Sequence, residues 1–207
     1  MAVYISLALC GIMHAQIVNY VESTSGDLSG VATAPTVLDF APGLNTVAGT
    51  MGRPAGGAID RDIFTFHLEN WEQVTSLNVL DYSPAATPGA IGSFLAISGS
   101  NTINLTNPST HLSNILVSGT GEILSFLAAG SYSDSLGTQP HTLGLTAPLG
   151  AGDYTIWFQE LSTPVNYRLG ISVVAVPEPS TWGLIGAGFI LLICFYHRNR
   201  RSVVLVQ

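Results

Sequence analysis

Asn166-Tyr-Arg-Leu-Gly-Ile-Ser-Val173 alternates without a break. Tyr167, Leu169, Ile171 and Val173 fall on one side of an extended chain, and Asn166, Arg168, Gly170 and Ser172 on the other. Successive side chains of a strand point to opposite faces, so this period of two predicts a strand with one buried and one polar face. Two more stretches repeat the pattern. In residues 62–68, Phe64, Phe66 and Leu68 share a face; in residues 153–159, Tyr154, Ile156 and Phe158 do. Fainter strands are predicted over 36–40, 45–51, 74–82, 91–98 and 122–128. Turn-rich pieces separate them: Ala41-Pro42-Gly43, residues 53–57, residues 84–89 and Gly150-Ala151-Gly152. Many short strands with Gly and Pro between them predict an all-β sandwich or barrel. No helical period of useful length occurs away from the two chain ends, and no repeat has a steady spacing.

Composition narrows the function classes. The chain has 207 residues, 47% hydrophobic and only 9% charged. This is too apolar for a disordered chain and fits one domain with short extensions. All six basic residues are arginine, and Arg198, Arg200 and Arg201 crowd near the end. Between residues 17 and 176 this leaves Arg53, Arg61 and Arg168 against twelve carboxylates, a net of −9. Such a surface repels phosphate backbones, which excludes nucleic acid as a partner. Cys10 and Cys194 lie in the apolar end segments, so the region between has neither a disulfide framework nor a thiolate site. A domain of about 160 residues buries enough apolar surface to fold without one.

Residues 1–15, MAVYISLALCGIMHA, hold a short apolar run followed by Met13-His14-Ala15, the pattern of a secretory signal peptide and its cleavage region. The basic n-region is missing, and a buried first strand or helix is the competing reading. At the other end, Val176-Pro177-Glu178-Pro179 precedes an apolar run over 182–196 and then His197-Arg198-Asn199-Arg200-Arg201. Fifteen helical residues span roughly 22 Å, short of a hydrocarbon core of roughly 30 Å, and the flanking Trp182 and Tyr196 suit its interfaces. Prolines before and arginines after are unusual for a core helix. They predict a transmembrane helix with Arg198, Arg200 and Arg201 on the cytoplasmic side and the large domain outside. The expected organisation is a signal peptide (1–15), an extracellular β-sandwich domain (16–176), a tail (177–201) and a cytoplasmic end (202–207).

Pro177-Glu178-Pro179, a short apolar helix and a basic cluster, in that order, resemble the PEP-CTERM sorting tail of Gram-negative bacteria. The resemblance covers about the last thirty residues; SVVLVQ (202–207) extends past where such tails usually stop. It implies recognition by exosortase, a membrane protease-transpeptidase, with transient anchoring in the inner membrane and then release or attachment at the cell surface. It also implies an association with exopolysaccharide and biofilm matrix. Two prolines hold residues 176–179 extended, which suits an enzyme cleft; Pro177, Glu178 and Pro179 are then features of a substrate.

The middle region resembles the bacterial pre-peptidase C-terminal domain. The residues are Asn45-Thr-Val-Ala-Gly-Thr50, Asp60-Arg61-Asp62 leading into Phe64 and Phe66, Leu149-Gly-Ala-Gly-Asp-Tyr154, and Asn166-Tyr167. The resemblance spans 36–174, is thin over 84–148, and implies a jelly-roll-like antiparallel β-sandwich with an accessory role.

Candidate sites are few. Asp60 and Asp62 project to one side of an extended chain, and Asp153 sits at a similar loop-to-strand junction. Together they offer part of the oxygen shell that Ca²⁺ needs; turn capping, or pairing with Arg61 or Arg53, is the alternative. Trp157 lies opposite Tyr154, Ile156 and Phe158. It is either an exposed sugar platform, with Trp71, Tyr82, Tyr132 and Tyr154 as further aromatics, or a core residue. His67, His111 and His141 are scattered without zinc-ligand spacing. No Gly-x-Ser-x-Gly elbow occurs, Ser118-Gly119-Thr120-Gly121 lacks the lysine of a phosphate loop, and Glu69 and Glu72 are neighbours in sequence only.

These readings predict an exported, surface-sorted, non-enzymatic protein processed by exosortase, with a structural or adhesive role in extracellular polysaccharide matrix or biofilm. A calcium-assisted carbohydrate-binding module using Asp60, Asp62 and Trp157 is the second expectation. A secreted hydrolase with a non-local site is the third.

Overall fold

The computed structural model describes residues 16–84, 92–129, 144–177, 183 and 186–194. In chain order its elements are β1 (Asn19–Val21), α1 (Glu22–Ser25), β2 (Thr36–Val37), β3 (Gly43–Met51), β4 (Arg61–Leu68), β5 (Glu72–Ser83) and β6 (Ser93–Ser98). A 3₁₀ turn (Pro108–Thr110) follows, then β7 (Ser113–Val117), β8 (Gly121–Glu122), α2 (Leu124–Ala129), β9 (Gly152–Gln159) and β10 (Val165–Ala175).

The strands form two five-stranded sheets, ordered β1-β3-β10-β5-β8 and β2-β4-β9-β6-β7. The inward rows of both sheets meet in one core. Val47, Tyr167, Leu169, Ile171 and Val173 come from the first sheet, and Phe64, Phe66, Leu68, Ile156 and Phe158 from the second. The alternation in residues 166–173 thus buries the predicted face, with Asn166 and Arg168 exposed. An all-β sandwich is what the sequence predicts and what the fold is. Pairing is antiparallel for β3–β10, β4–β9, β6–β9 and β6–β7. The short outer strands β1 and β2 instead pair in parallel with β3 and β4, so the sandwich is not purely antiparallel.

Three local expectations change. Of residues 122–128 only Glu122, the end of β8, is strand, and α2 begins at Leu124. The Glu122 carboxylate accepts the Leu124 and Ser125 backbone N–H groups at 2.7 and 3.1 Å, and Leu124 and Leu127 bury one face of the turn. A side chain that caps orphan amides redirects an apolar run from strand to helix. Next, β4 and β9 are buried on both faces. Ile63, Ala96, Ile103 and Trp157 form a second cluster on the outer face of their sheet. Residues 99–112 contribute to its cover: Ile103 N–H donates to the Ala32 carbonyl and the Thr155 hydroxyl to the Ser100 carbonyl. Last, β1, α1 and β7 arise where no strong period marks them.

Residues 175–207 form a separate compact unit. Residues 186–194 are helical. Among the described residues no helix is long and apolar enough to cross a membrane. The rest of the predicted helix over 182–196, apart from Gly183, lies outside the described residues, as do the signal peptide (1–15) and the end at 202–207.

Candidate functional site

Asp62 sits near the start of β4, on the same face as Phe64 and Phe66, and is 0% exposed. A carboxyl there is in the inter-sheet space. Both of its oxygens are buried without a hydrogen-bond partner, and so is the hydroxyl of Tyr167, its neighbour from β10. Burial lifts the Asp62 carboxyl to about 9, and Glu22, Asp60 and Asp27 push the same way. Desolvation disfavours the charged form, and nearby like charges add to the effect.

The chain brings two of those acids from far away in sequence. β1 runs beside β3 in the first sheet. The chain then turns through α1 and reaches the second sheet, where Ser29 bridges Ile63. Residues 19–29 thus pass from one sheet to the other, and the passage carries Glu22 and Asp27. One carboxylate oxygen each of Glu22, Asp27 and Asp62 lies within 4.8 Å of the others. Glu22 is held by its backbone contacts, accepting N–H from Leu28 at 3.1 Å and from Thr50 at 2.7 Å. Burial raises its pKa against the pull of those two amides. Asp60 is raised by burial first and then by Asp27. The corner can therefore hold a proton or a hard cation, because bare carboxylates at this spacing repel one another.

Of the residues predicted for calcium, the fold brings Asp60 and Asp62 to this corner and leaves Asp153 out. In the β4–β9 register Asp62 faces Phe158, whereas Asp153 faces His67, five residues along β4. At about 3.4 Å per residue that separates them by roughly 17 Å. Asp153 instead pairs with His67 at 2.7 Å, both side chains about half exposed. The hydrogen bond to the Asp153 carboxylate is the main cause holding His67 above its ordinary value.

Trp157 packs into the second cluster rather than standing on the surface. It is 7% exposed, edge-on to Phe94 at 4.9 Å between ring centroids and near His111 at 5.9 Å. Of the other aromatics named with it, Tyr82 is buried with its hydroxyl 2.7 Å from that of Ser93, and Trp71 is 41% exposed. Tyr132 lies outside the described residues.

Grooves on the surface of the described residues include two of similar size. One, of about 380 Å³, runs along residues 115–123 and Phe126. The other, of about 330 Å³, is bordered by Gly99, Leu112, Leu145, Asp153 and Tyr154. Neither is lined by Glu22, Asp27 or Asp62.

Glu22 and Asp27 escaped the sequence reading. They lie outside every alternating stretch, and only the parallel placement of β1 beside β3 carries them to Asp62.

In the tail, Val176 and Pro177 are exposed, while Glu178, Pro179, Arg198, Arg200 and Arg201 lie outside the described residues. No curated protein and no solved structure matches the chain. The resemblance of residues 36–174 to the pre-peptidase C-terminal domain is not confirmed. Residues 175–201, however, match the family model of the PEP-CTERM protein-sorting motif, so the chain carries the signal of an exosortase-processed surface protein.

Proposed function

We propose that this protein is exported, anchored briefly in the inner membrane by its tail, cut by exosortase, and then serves as a non-enzymatic structural or adhesive component of extracellular polysaccharide matrix. The match of residues 175–201 to the sorting motif carries the reading. The rest of the molecule is consistent with it. The domain is an acidic β-sandwich with no lysine. The carboxyl groups raised by burial, Asp62, Glu22 and Asp60, gather at a corner between the sheets rather than in either groove, where a substrate would need them.

The test is intact mass and location of the protein in the producing cell, with and without its exosortase. The exported form is expected to lack residues 1–15 and everything beyond Pro177–Pro179. In the exosortase-deficient strain it should stay membrane-bound with Arg198–Gln207 still present. A mature surface form that retains Arg198–Gln207 overturns the sorting reading. Binding of that mature form to the producer's own exopolysaccharide tests the matrix role. Its absence moves the assignment to a protein-partnered surface role.

A further inference from the structure

We propose that Glu22, Asp27 and Asp62 bind one calcium ion, and that the ion latches residues 19–29 across the edge between the two sheets. Three observations meet here. The three carboxylates each place an oxygen within 4.8 Å of the others. Calcium holds oxygens at about 2.3–2.6 Å, so its shell is about 5 Å across and a single ion can touch all three. Second, Asp62 is fully buried with both oxygens lacking a hydrogen-bond partner, and it is aimed at the two acids from the crossing segment. A buried polar group without a partner costs about 1–3 kcal/mol, more when charged, and a bound cation removes that penalty. Third, every charged or titratable group acting on Asp62 is an acid: Glu22, Asp60, Asp27 and the phenol of Tyr167. Among the described residues the one ion pair is His67–Asp153, so no guanidinium is paired with these carboxylates.

The donor set selects the ion. All three ligands are carboxylate oxygens, which excludes soft thiolate-seeking metals. Calcium accepts irregular shells completed by carbonyls and water; magnesium demands an octahedron and keeps several waters, for which the buried side of Asp62 leaves little room.

The placement explains what the ion does. Glu22 and Asp27 sit on the crossing segment and Asp62 on the second sheet, so one ion ties the segment to the sandwich. Leu28, 2% exposed, is the apolar anchor beside it. An affinity of about 0.1–1 mM, usual for extracellular calcium modules, would leave the latch open in the cytoplasm and close it after export. Only that compartment argument rests on the surface reading; the binding test below does not.

The experiment uses the full chain in detergent micelles, stripped with chelator and titrated with calcium near neutral pH. Thermal unfolding, heats of binding and amide exchange over residues 19–29 are followed. The wild-type melting temperature should rise by roughly 3–10 °C at about 10 mM calcium. Exchange over residues 19–29 should slow. Asp27→Asn and Asp62→Asn should each lose most of the rise, whereas Asp153→Asn should keep it. Asp27 is exposed, so its variant folds even if the Asp62 variant does not. No rise in the wild type, an equal rise with magnesium, or a full rise in both Asn variants overturns the proposal. Unchanged exchange over residues 19–29 on binding overturns the latch.

Discussion

The carboxylate of Glu22 lies over Gly49 of β3, so close that a Cβ on Gly49 would stand 2.5 Å from it. Gly49 is paired with Tyr167 across β3–β10, which sets this contact beside the phenol facing Asp62. Gly49→Ala is expected to push Glu22 off the Thr50 and Leu28 amides it accepts. Hydrogen bonds to a charged group are worth about 1.5–3 kcal/mol, and a loss of roughly that size is expected. Urea unfolding of Gly49→Ala against wild type reads it. An unchanged midpoint would mean that Glu22 holds nothing there.

Stability of the calcium-free protein should fall as pH rises from about 4 to about 9. Asp62 keeps its proton in the fold up to about 9 and loses it near 3.8 when unfolded. The unfolded chain therefore binds fewer protons throughout that window, and stability declines with pH until both states are ionised. The decline can reach about 1.4 kcal/mol per pH unit inside the window. On the acid side Glu122 and Glu160 act with the opposite sign. Burial raises each, but hydrogen bonds from Ser125 and Leu124, and from Ser162, Ser93 and Leu161, outweigh it and leave both lowered. Their contribution is present above about pH 4.5 and is lost as pH falls through their folded values. Denaturant midpoints measured across pH should peak in mild acid, and Asp62→Asn should flatten the alkaline limb.

Trp157→Ala should cost about 3–5 kcal/mol, the usual range for emptying a large aromatic site. Its ring fills the second cluster with Ile63, Ala96 and Ile103. Trp157→Phe should cost much less, because the indole N–H is buried without a hydrogen-bond partner and its removal offsets part of the lost packing. Thermal unfolding of both variants distinguishes a core residue from a surface one. Equal small losses would return Trp157 to the surface.

Asn45→Ala should cost about 2–4 kcal/mol. The side chain is fully buried; it accepts the Val18 and Ala41 amides and donates to the Ala41 carbonyl at 2.8 Å. Truncation leaves those backbone groups unpaired in the core. Hydrogen exchange at Val18 in the variant should speed up with the loss of stability.

The all-β class was legible because period-two alternation is a local property. Tyr167, Leu169, Ile171 and Val173 had to share a face in any extended chain, and the core uses that face. The sorting tail was legible for the same reason: its prolines, apolar run and arginines are contiguous. What local pattern could not carry was anything depending on which strands lie side by side. The fate of Trp157 turned on residues 99–112, whose cover over the outer face no alternation encodes. The candidate calcium set turned on register: Asp153 looked like a partner of Asp62 by residue type, but antiparallel pairing put it opposite His67. The sequence by itself determined the sheet-forming faces, the acidic charge and the tail. Only the tertiary structure decided that Glu22 and Asp27 meet Asp62, because that encounter requires a segment with no periodic signal to cross between two sheets.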